Sequence, residues 1–293
     1  MKRTLITPAR NTWCPGCGNF AILHTLRDVL LEREREGHSL EQTVLVSGIG
    51  CHAKIADYLD INSFYAIHGR TIPVATGIKL AHPDLSVICC AGDGDCYAEG
   101  LDHLVFAAKR NIDLTMIVHD NRVYGLTTGQ YTPTSPLNFK GRSTPGGTHE
   151  KPLNPLALML ASGATMVSRA YTRQLDHLRG VLAEGMAHRG FAFIDVLQIC
   201  ASFFDMTGYY NEHTYLLSGN DPSDFWEAWK IAREWDYSTD APIALGTLYR
   251  SSGEPVYDDA YHSPPQSQTE RDAAVRALID RKAGRLPPGV KDA

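Results

Sequence analysis

AGDGDCYAEGLDHLVFAAKRNIDLTMIVHDNRVYGLTTGQ, residues 91–130, is the stretch that decides how this chain folds. Gly92-Asp93-Gly94 follows directly on an apolar run, Leu85 to Cys90, that reads as a buried strand. Asp120-Asn121 follows a second such run, Leu114 to Val118. Between them, Tyr97 to Arg110 carries Leu101, Leu104, Val105 and Ala108 at helical spacing. Strand, tight turn, helix, strand and turn in that order put both turns at the same end of a parallel sheet. Such turns suit a diphosphate held through a divalent metal. Gly92 and Gly94 let the backbone approach a ligand, and the helix start offers free N–H groups. Asp93 and Asn121 are oxygen ligands of the kind Mg2+ takes.

Outward from this unit, strands and helices alternate. Asn19 to Glu36 reads as an amphipathic helix stopped by Gly37. Thr43 to Val46 is a short buried strand running into the glycine-rich turn Ser47-Gly48-Ile49-Gly50-Cys51. Further helices are expected over His52–Tyr58, Arg70–Leu80, Pro155–Ser162 and Thr172–His188, and strands over Thr165–Ala170 and Phe191–Leu197. The residues from Gln130 to Pro152 form a polar loop. The alternation predicts an α/β fold, a mainly parallel sheet flanked by helices. Past Phe204 the pattern weakens. Asp221 to Glu234 reads as a helix, and Pro255 to Ala293 as an extended or partner-wrapping tail. The expected division is one α/β domain over residues 1–204 and a C-terminal extension over 205–293.

The 293 residues suffice for a full core, and 43% apolar with 21% charged residues is ordinary for a globular protein. With 28 basic against 33 acidic residues the net charge is −5, which argues against a general nucleic-acid or anionic-membrane binder. There is no apolar run of about 18 residues to span a membrane, and the start lacks a secretory apolar segment. The cytoplasm is the expected location, where seven cysteines are ligands or buried thiols rather than disulfides.

Cys14-Pro15-Gly16-Cys17 is a tight knuckle that puts two thiolates on one metal centre, but the second pair a zinc ribbon needs is missing. Cys51 and Cys200 each follow a strand and precede irregular sequence, where a ligand can be presented. Thiolates from separate places in the chain are also how an iron–sulfur cluster is held. Cys89, Cys90 and Cys96 read as buried thiols beside the glycine turn.

GDG, some 25 residues, then an Asn-containing turn resembles the diphosphate motif of thiamine-diphosphate enzymes. The continuation Asp120-Asn121-Arg122-Val123-Tyr124-Gly125-Leu126-Thr127, running into Gly129-Gln130-Tyr131-Thr132-Pro133-Thr134, narrows the resemblance to the β subunits of the 2-oxoacid:ferredoxin oxidoreductases. It covers Trp13 to Phe204 and Pro242 to Arg250. It implies the thiamine-diphosphate-binding fold in its diphosphate-binding half. Mg2+ would lie on Asp93, Asn121 and the Val123 carbonyl, with Gly92, Gly94 and Asp95 shaping the phosphate turn. Gly50, Cys51 and His52, and Tyr124, Gly125, Leu126 and Thr127, would line the cofactor and substrate pocket.

The same resemblance implies one 4Fe–4S cluster on Cys14, Cys17, Cys51 and Cys200, although Ile199 stands where the family often has Pro. A 2-oxoacid carboxylate needs a cation or donor. Lys54, or His68 and Arg70 from the family-like HGRTIPVATGIKLA segment, are the candidates for that catalytic role. Thr128 departs from the Gly or Lys common at its position. The implied reaction is oxidative decarboxylation of a 2-oxoacid, 2-oxoglutarate first and pyruvate second, with coenzyme A and ferredoxin, or its reverse. The implied partner is an α-type (or fused γ–α) subunit that binds the pyrimidine. Two other functions compete: a subunit of a non-oxidative thiamine-diphosphate decarboxylase, and a non-catalytic zinc-knuckle assembly protein.

Overall fold

Each apolar run of the central unit becomes a strand in the computed structural model, which describes residues 4–261 and 267–285. The strands are β1 (Thr43–Ser47), β2 (Asn62–Tyr65), β3 (Ser86–Gly92), β4 (Leu114–Asp120), β5 (Val123–Tyr124), β6 (Gln130–Tyr131), β7 (Met166–Tyr171), β8 (Phe191–Leu197), β9 (Thr214–Leu216) and β10 (Ile243–Arg250). The helices are α1 (Asn19–Arg35), α2 (Ile55–Tyr58), α3 (Thr71–Ala81), α4 (Leu101–Arg110), α5 (Pro155–Ala161), α6 (Leu175–Ala187), α7 (Thr207–His213), α8 (Phe225–Glu234) and α9 (Gln268–Lys282). Eight strands form one sheet in the order β2-β1-β3-β4-β8-β7-β10-β9, parallel throughout except where β10 runs against β7.

Side chains alternate across the sheet with the period of two that a pleated strand imposes. Val87, Cys89 and Ala91 of β3, with Phe191 and Phe193 of β8, face a core closed by α3, α4, α5 and α8. Ile88 and Cys90, with Ile194 and Val196, face the opposite core under α1, α2 and α6. Burial on both faces is why these strands read as continuous apolar runs.

Because β1, β3, β4 and β8 are adjacent and parallel, their four C-terminal turns open at one edge of the sheet. Those turns are Gly48–Cys51, the glycine turn after β3, Asn121 after β4, and Gln198–Cys200 after β8. That edge is where open α/β sheets bind ligands.

Four expectations change. The helix expected from Tyr97 begins instead as a π turn over Asp95–Glu99 and becomes α-helical only after Gly100. A π turn near a functional site re-aims side chains, and here it turns Glu99 toward Tyr124 and His68. β2 escapes the pattern because all four of its residues are exposed on an edge strand. The polar loop opens with the β5–β6 hairpin.

The sheet also does not stop at Phe204. β9 and β10 belong to it, so the chain divides into compact units at 1–260 and 261–293 rather than at 204. The expected tail holds a 3-10 turn at Tyr257–Tyr261 and the helix α9. A capping box between Ser267 and Glu270 starts α9, and it buries none of its own side chains. The rest of that tail, residues 262–266 and 286–293, lies outside the described residues. None of the described helices is long and apolar enough to cross a membrane.

Candidate functional site

Two adjoining hollows open at the C-terminal edge of the sheet. The first is walled by Gly50, Cys51 and His52 from the turn after β1, by Gly92 to Asp95, by Asn121 and Val123 to Thr127, and by His68. Gly94 has to be glycine. A Cβ there would stand 2.2 Å from Cε1 of Tyr124, whose ring lies over the turn. At Gly92 a Cβ would meet His52 Nδ1 at 2.7 Å.

Asp93 is buried, and its Oδ2 accepts from the Thr134 hydroxyl at 3.1 Å; the same hydroxyl lies 2.8 Å from Asp120 Oδ1. Burial pushes the Asp93 carboxyl up to about 6, against the hydrogen bonds from Thr132 and Thr134. Asp120 is raised as well, by burial and by the neighbouring Asp195 and Asp93. Crowded buried carboxylates of this kind call for a cation, and a divalent ion would reverse both shifts. The Asn121 side chain and the Val123 backbone lie beside Asp93, with Asn121 Oδ1 accepting from the Val123 N–H at 3.0 Å. One carboxylate, one amide oxygen and one carbonyl leave coordination positions for phosphate oxygens, which is how Mg2+ is commonly held.

Asp95 plays a different part. Its Oδ1 lies 2.8 Å from His68 Nδ1 and accepts the Gly69 N–H at 2.7 Å, while Oδ2 lies 3.4 Å from His52 Nε2. Burial alone would raise this carboxyl, but the two imidazoles and the Gly69 amide hold it well below the usual carboxylate range. The Asp95 carboxylate, accepting at His68 Nδ1, in turn raises His68, which stays cationic to higher pH. Asp95 therefore orients two histidines and is not itself free for a metal. Gly69, at φ +71, leaves no room for a side chain, since a Cβ would meet the Glu99 backbone at 2.5 Å.

The second hollow gathers the four cysteines of the expected ligand set, Cys14, Cys17, Cys51 and Cys200. The knuckle is shaped by the Cys17 N–H donating to the Cys14 carbonyl at 3.1 Å, and it is tied to the turn after β8 by the Gly18 N–H donating to the Ile199 carbonyl at 3.0 Å. Trp13 Nε1 donates to the Cys51 carbonyl at 2.6 Å. A Cβ on Gly125 would stand 3.5 Å from Cys51 Sγ and 3.6 Å from Cys200 Sγ, so those sulfurs flank the glycine. Burial pushes the Cys17 thiol up to about 11 and raises Cys51 too, so both need a metal to be thiolates near neutral pH. Cys89, Cys90 and Cys96 are buried in the two cores. Among the described residues, no three His, Cys, Asp or Glu side chains close on a single metal ion.

The three candidate cations separate. His68 lines the first hollow. Lys54 lines the second, where its Nζ donates to Thr12 Oγ1 at 2.8 Å. Arg70 lines neither and donates to the Gly69 and Glu99 carbonyls at 3.2 Å each. Thr128 faces the cysteine hollow.

Sequence reasoning missed Arg122, the Tyr124–Glu99 contact and a buried set around Asp195. In that set Asp195 accepts from Tyr97 at 2.8 Å and Tyr237 at 2.6 Å and pairs with Arg169 at 3.5 Å. Its members are far apart in sequence, and only the fold brings them together. Thr134 had a signal, the TPT that follows the Asn121 turn.

A glycine phosphate turn with one carboxylate and one amide beside it, at the C-terminal edge of a parallel sheet, defines a thiamine-diphosphate-binding domain. Residues 48–196 accordingly match the thiamine pyrophosphate enzyme, C-terminal TPP binding domain family. The chain is 38% identical to 2-oxoacid:ferredoxin oxidoreductase 1, subunit beta, of Aeropyrum pernix, over 85% of this chain and 91% of that one. It is 40% identical to the 2-oxoglutarate synthase subunit KorB of Archaeoglobus fulgidus, over 64% of this chain and 69% of that one. Its fold matches the 2-oxoglutarate:ferredoxin oxidoreductase from Magnetococcus marinus, solved with 2-oxoglutarate, coenzyme A and succinyl-CoA bound. The TM-score is 0.82 at 31% identity, covering 98% of this chain and 91% of that one. The chain belongs to the β subunits of the 2-oxoacid:ferredoxin oxidoreductases.

Proposed function

We propose that this β subunit, with an α-type partner, carries out the coenzyme A-dependent oxidative decarboxylation of 2-oxoglutarate, or the reverse carboxylation, exchanging electrons with ferredoxin. The 2-oxoglutarate-named relatives and the ligands of the Magnetococcus structure support that substrate over pyruvate. The observation that carries the redox part is the adjacency of the two hollows, which share Cys51, Asn121, Gly125 and Leu126 in their walls.

Bound thiamine diphosphate supplies the carbon nucleophile and electron sink for loss of CO2 from a 2-oxoacid. This chain's share is to seat the diphosphate on the Gly92-Asp93-Gly94 turn and to hold Mg2+ with Asp93, Asn121 and the Val123 carbonyl. His68, its Nδ1 engaged by Asp95, lines the pocket and would offer a positive charge to an anionic substrate or cofactor there. Cys14, Cys17, Cys51 and Cys200 would hold one 4Fe–4S cluster in the adjoining hollow, and such a cluster would supply one-electron transfer. A cytoplasmic setting agrees with seven free cysteines.

The test is iron, acid-labile sulfide and zinc on the anaerobically purified complex, followed by dye reduction with a panel of 2-oxoacids and coenzyme A. About four irons and four sulfides per β chain are expected, with 2-oxoglutarate the best substrate. About one zinc per chain without sulfide would overturn the redox part and leave a non-oxidative decarboxylase.

A further inference from the structure

The wall of the cysteine hollow carries two buried side-chain amides that no ligand assignment uses. Gln198, 2% exposed, sits on the turn after β8, two residues before Cys200. Its Nε2 donates to Cys17 Sγ at 3.4 Å and to the Ile199 carbonyl at 2.7 Å. The Asn19 side chain is fully buried in the same wall; its Oδ1 is engaged by His119 Nδ1 at 2.8 Å, and its Nδ2 has no hydrogen-bond partner among the described residues.

Gln198 is held in this pose by its surroundings. The Gly18 N–H is bonded to the Ile199 carbonyl, and a Cβ on Gly18 would stand 2.9 Å from Gln198 Cγ, so the bare glycine makes the space that seats the amide. Buried donors are costly unless matched to a good acceptor. A neutral thiol is a weak acceptor, whereas a metal-bound thiolate carrying cluster charge is a strong one. A buried amide N–H aimed at one of four cysteine sulfurs is therefore matched to a charged sulfur. Hydrogen bonds to cluster sulfurs and exclusion of solvent are the levers by which a protein sets a cluster's potential.

We propose that Gln198 is a positioning residue that sets the reduction potential of the cluster. Its N–H···S bond to Cys17 stabilises the more negative, reduced form and raises the midpoint potential. The inference rests on the cluster assignment made above.

The test is an EPR-monitored redox titration of the anaerobic complex with its α-type subunit, with iron and sulfide measured on the same samples. Gln198→Leu removes the donor; it should keep the wild-type iron and sulfide content. Its midpoint should move to lower potential, so that the oxidised-to-reduced ratio at a fixed potential rises at least threefold. Thr172→Val removes a buried hydroxyl that lies beside Gly18 and bonds no sulfur, and it should leave the midpoint in place. An intact cluster with an unmoved midpoint in Gln198→Leu overturns the proposal, as does an equal shift in Thr172→Val. If Gln198→Leu loses its cluster, Gln198→Met, unbranched and of similar length, is titrated instead and read by the same criteria. Wild-type protein without iron and sulfide would remove the cluster assignment itself, and this inference with it.

Discussion

Thr134 faces two buried carboxylates with a single hydroxyl proton, so it can donate to Asp93 or to Asp120 but not to both at once. In the proposed Mg2+ site its contribution is to fix the orientation of the Asp93 carboxylate through a supporting hydrogen bond. Loss of such a partner costs about 10- to 100-fold in metal affinity or activity. Thr134→Val, which keeps the shape, should weaken Mg2+-dependent thiamine diphosphate binding by about that factor, read by quenching of intrinsic fluorescence across a Mg2+ titration. Unchanged binding would show that Asp93 is held by the strand alone.

His68 offers a second check at this scale. Its hydrogen bond to Asp95 raises its folded value above the ordinary one near 6.5. A raised group contributes its stabilisation in full below the unfolded value and loses it as pH climbs through the folded value. Wild-type thermal stability should therefore fall relative to His68→Gln as pH is raised from about 6 to about 9. Melting curves whose separation is the same across that range would refute the pairing.

Among the elements, the turn between β4 and β5 is held from an unexpected side. Arg122 lies between Asn121 and Val123, the proposed Mg2+ ligands, at φ +61, and is 2% exposed. Its Nε donates to the Thr134 carbonyl at 2.7 Å and its NH2 group to the Tyr237 carbonyl, and the guanidinium stacks within 6.0 Å of Phe204, Trp235 and Tyr237. Phe204 also bonds through its N–H to the Cys200 carbonyl, so one side chain joins the metal turn, a cysteine loop and the chain leading into β10. Two charge-assisted hydrogen bonds and the ring contacts together make Arg122→Ala cost about 3–5 kcal/mol in urea denaturation. Arg122→Gly should cost about 1 kcal/mol less, because glycine accepts the left-handed backbone that alanine resists. An alanine variant more stable than the glycine variant would mean that the positive φ is not imposed.

The same scale explains what the sequence hid. A charged residue after Asn121 reads as a solvated turn, and nothing local foretells that three distant rings enclose it. β2 and the π turn at Asp95–Glu99 were hidden for the opposite reason. β2 lacks buried alternation, and the π turn is a departure from helical period imposed by contacts of Asp95 and Glu99 outside the helix.

At the level of the molecule, this chain is one subunit of a larger enzyme. In the proposed assignment the first hollow takes the diphosphate end of the cofactor, and Ile49 and Leu126 in its wall are 38% and 46% exposed. The chain alone, given 2-oxoglutarate, coenzyme A, Mg2+ and thiamine diphosphate, should reduce no dye, and co-purified α-type subunit should restore the rate. Turnover by the isolated chain would sink the two-subunit reading.

The sequence by itself determined the α/β alternation and the glycine turn with Asp93 and Asn121. It also singled out the knuckle and the two cysteines after strands, because each is a local pattern set by strand period, turn chemistry or spacing. The adjacency of the diphosphate turn and the cysteines was decided by tertiary structure alone. The order β1-β3-β4-β8 brings four C-terminal turns to one edge, and no local pattern encodes which strands are neighbours. Tertiary structure also parted Lys54 from His68, left Arg70 outside both hollows, and seated the Gln198 amide against Cys17. Those outcomes depend on where backbones far apart in sequence meet, and only packing fixes that.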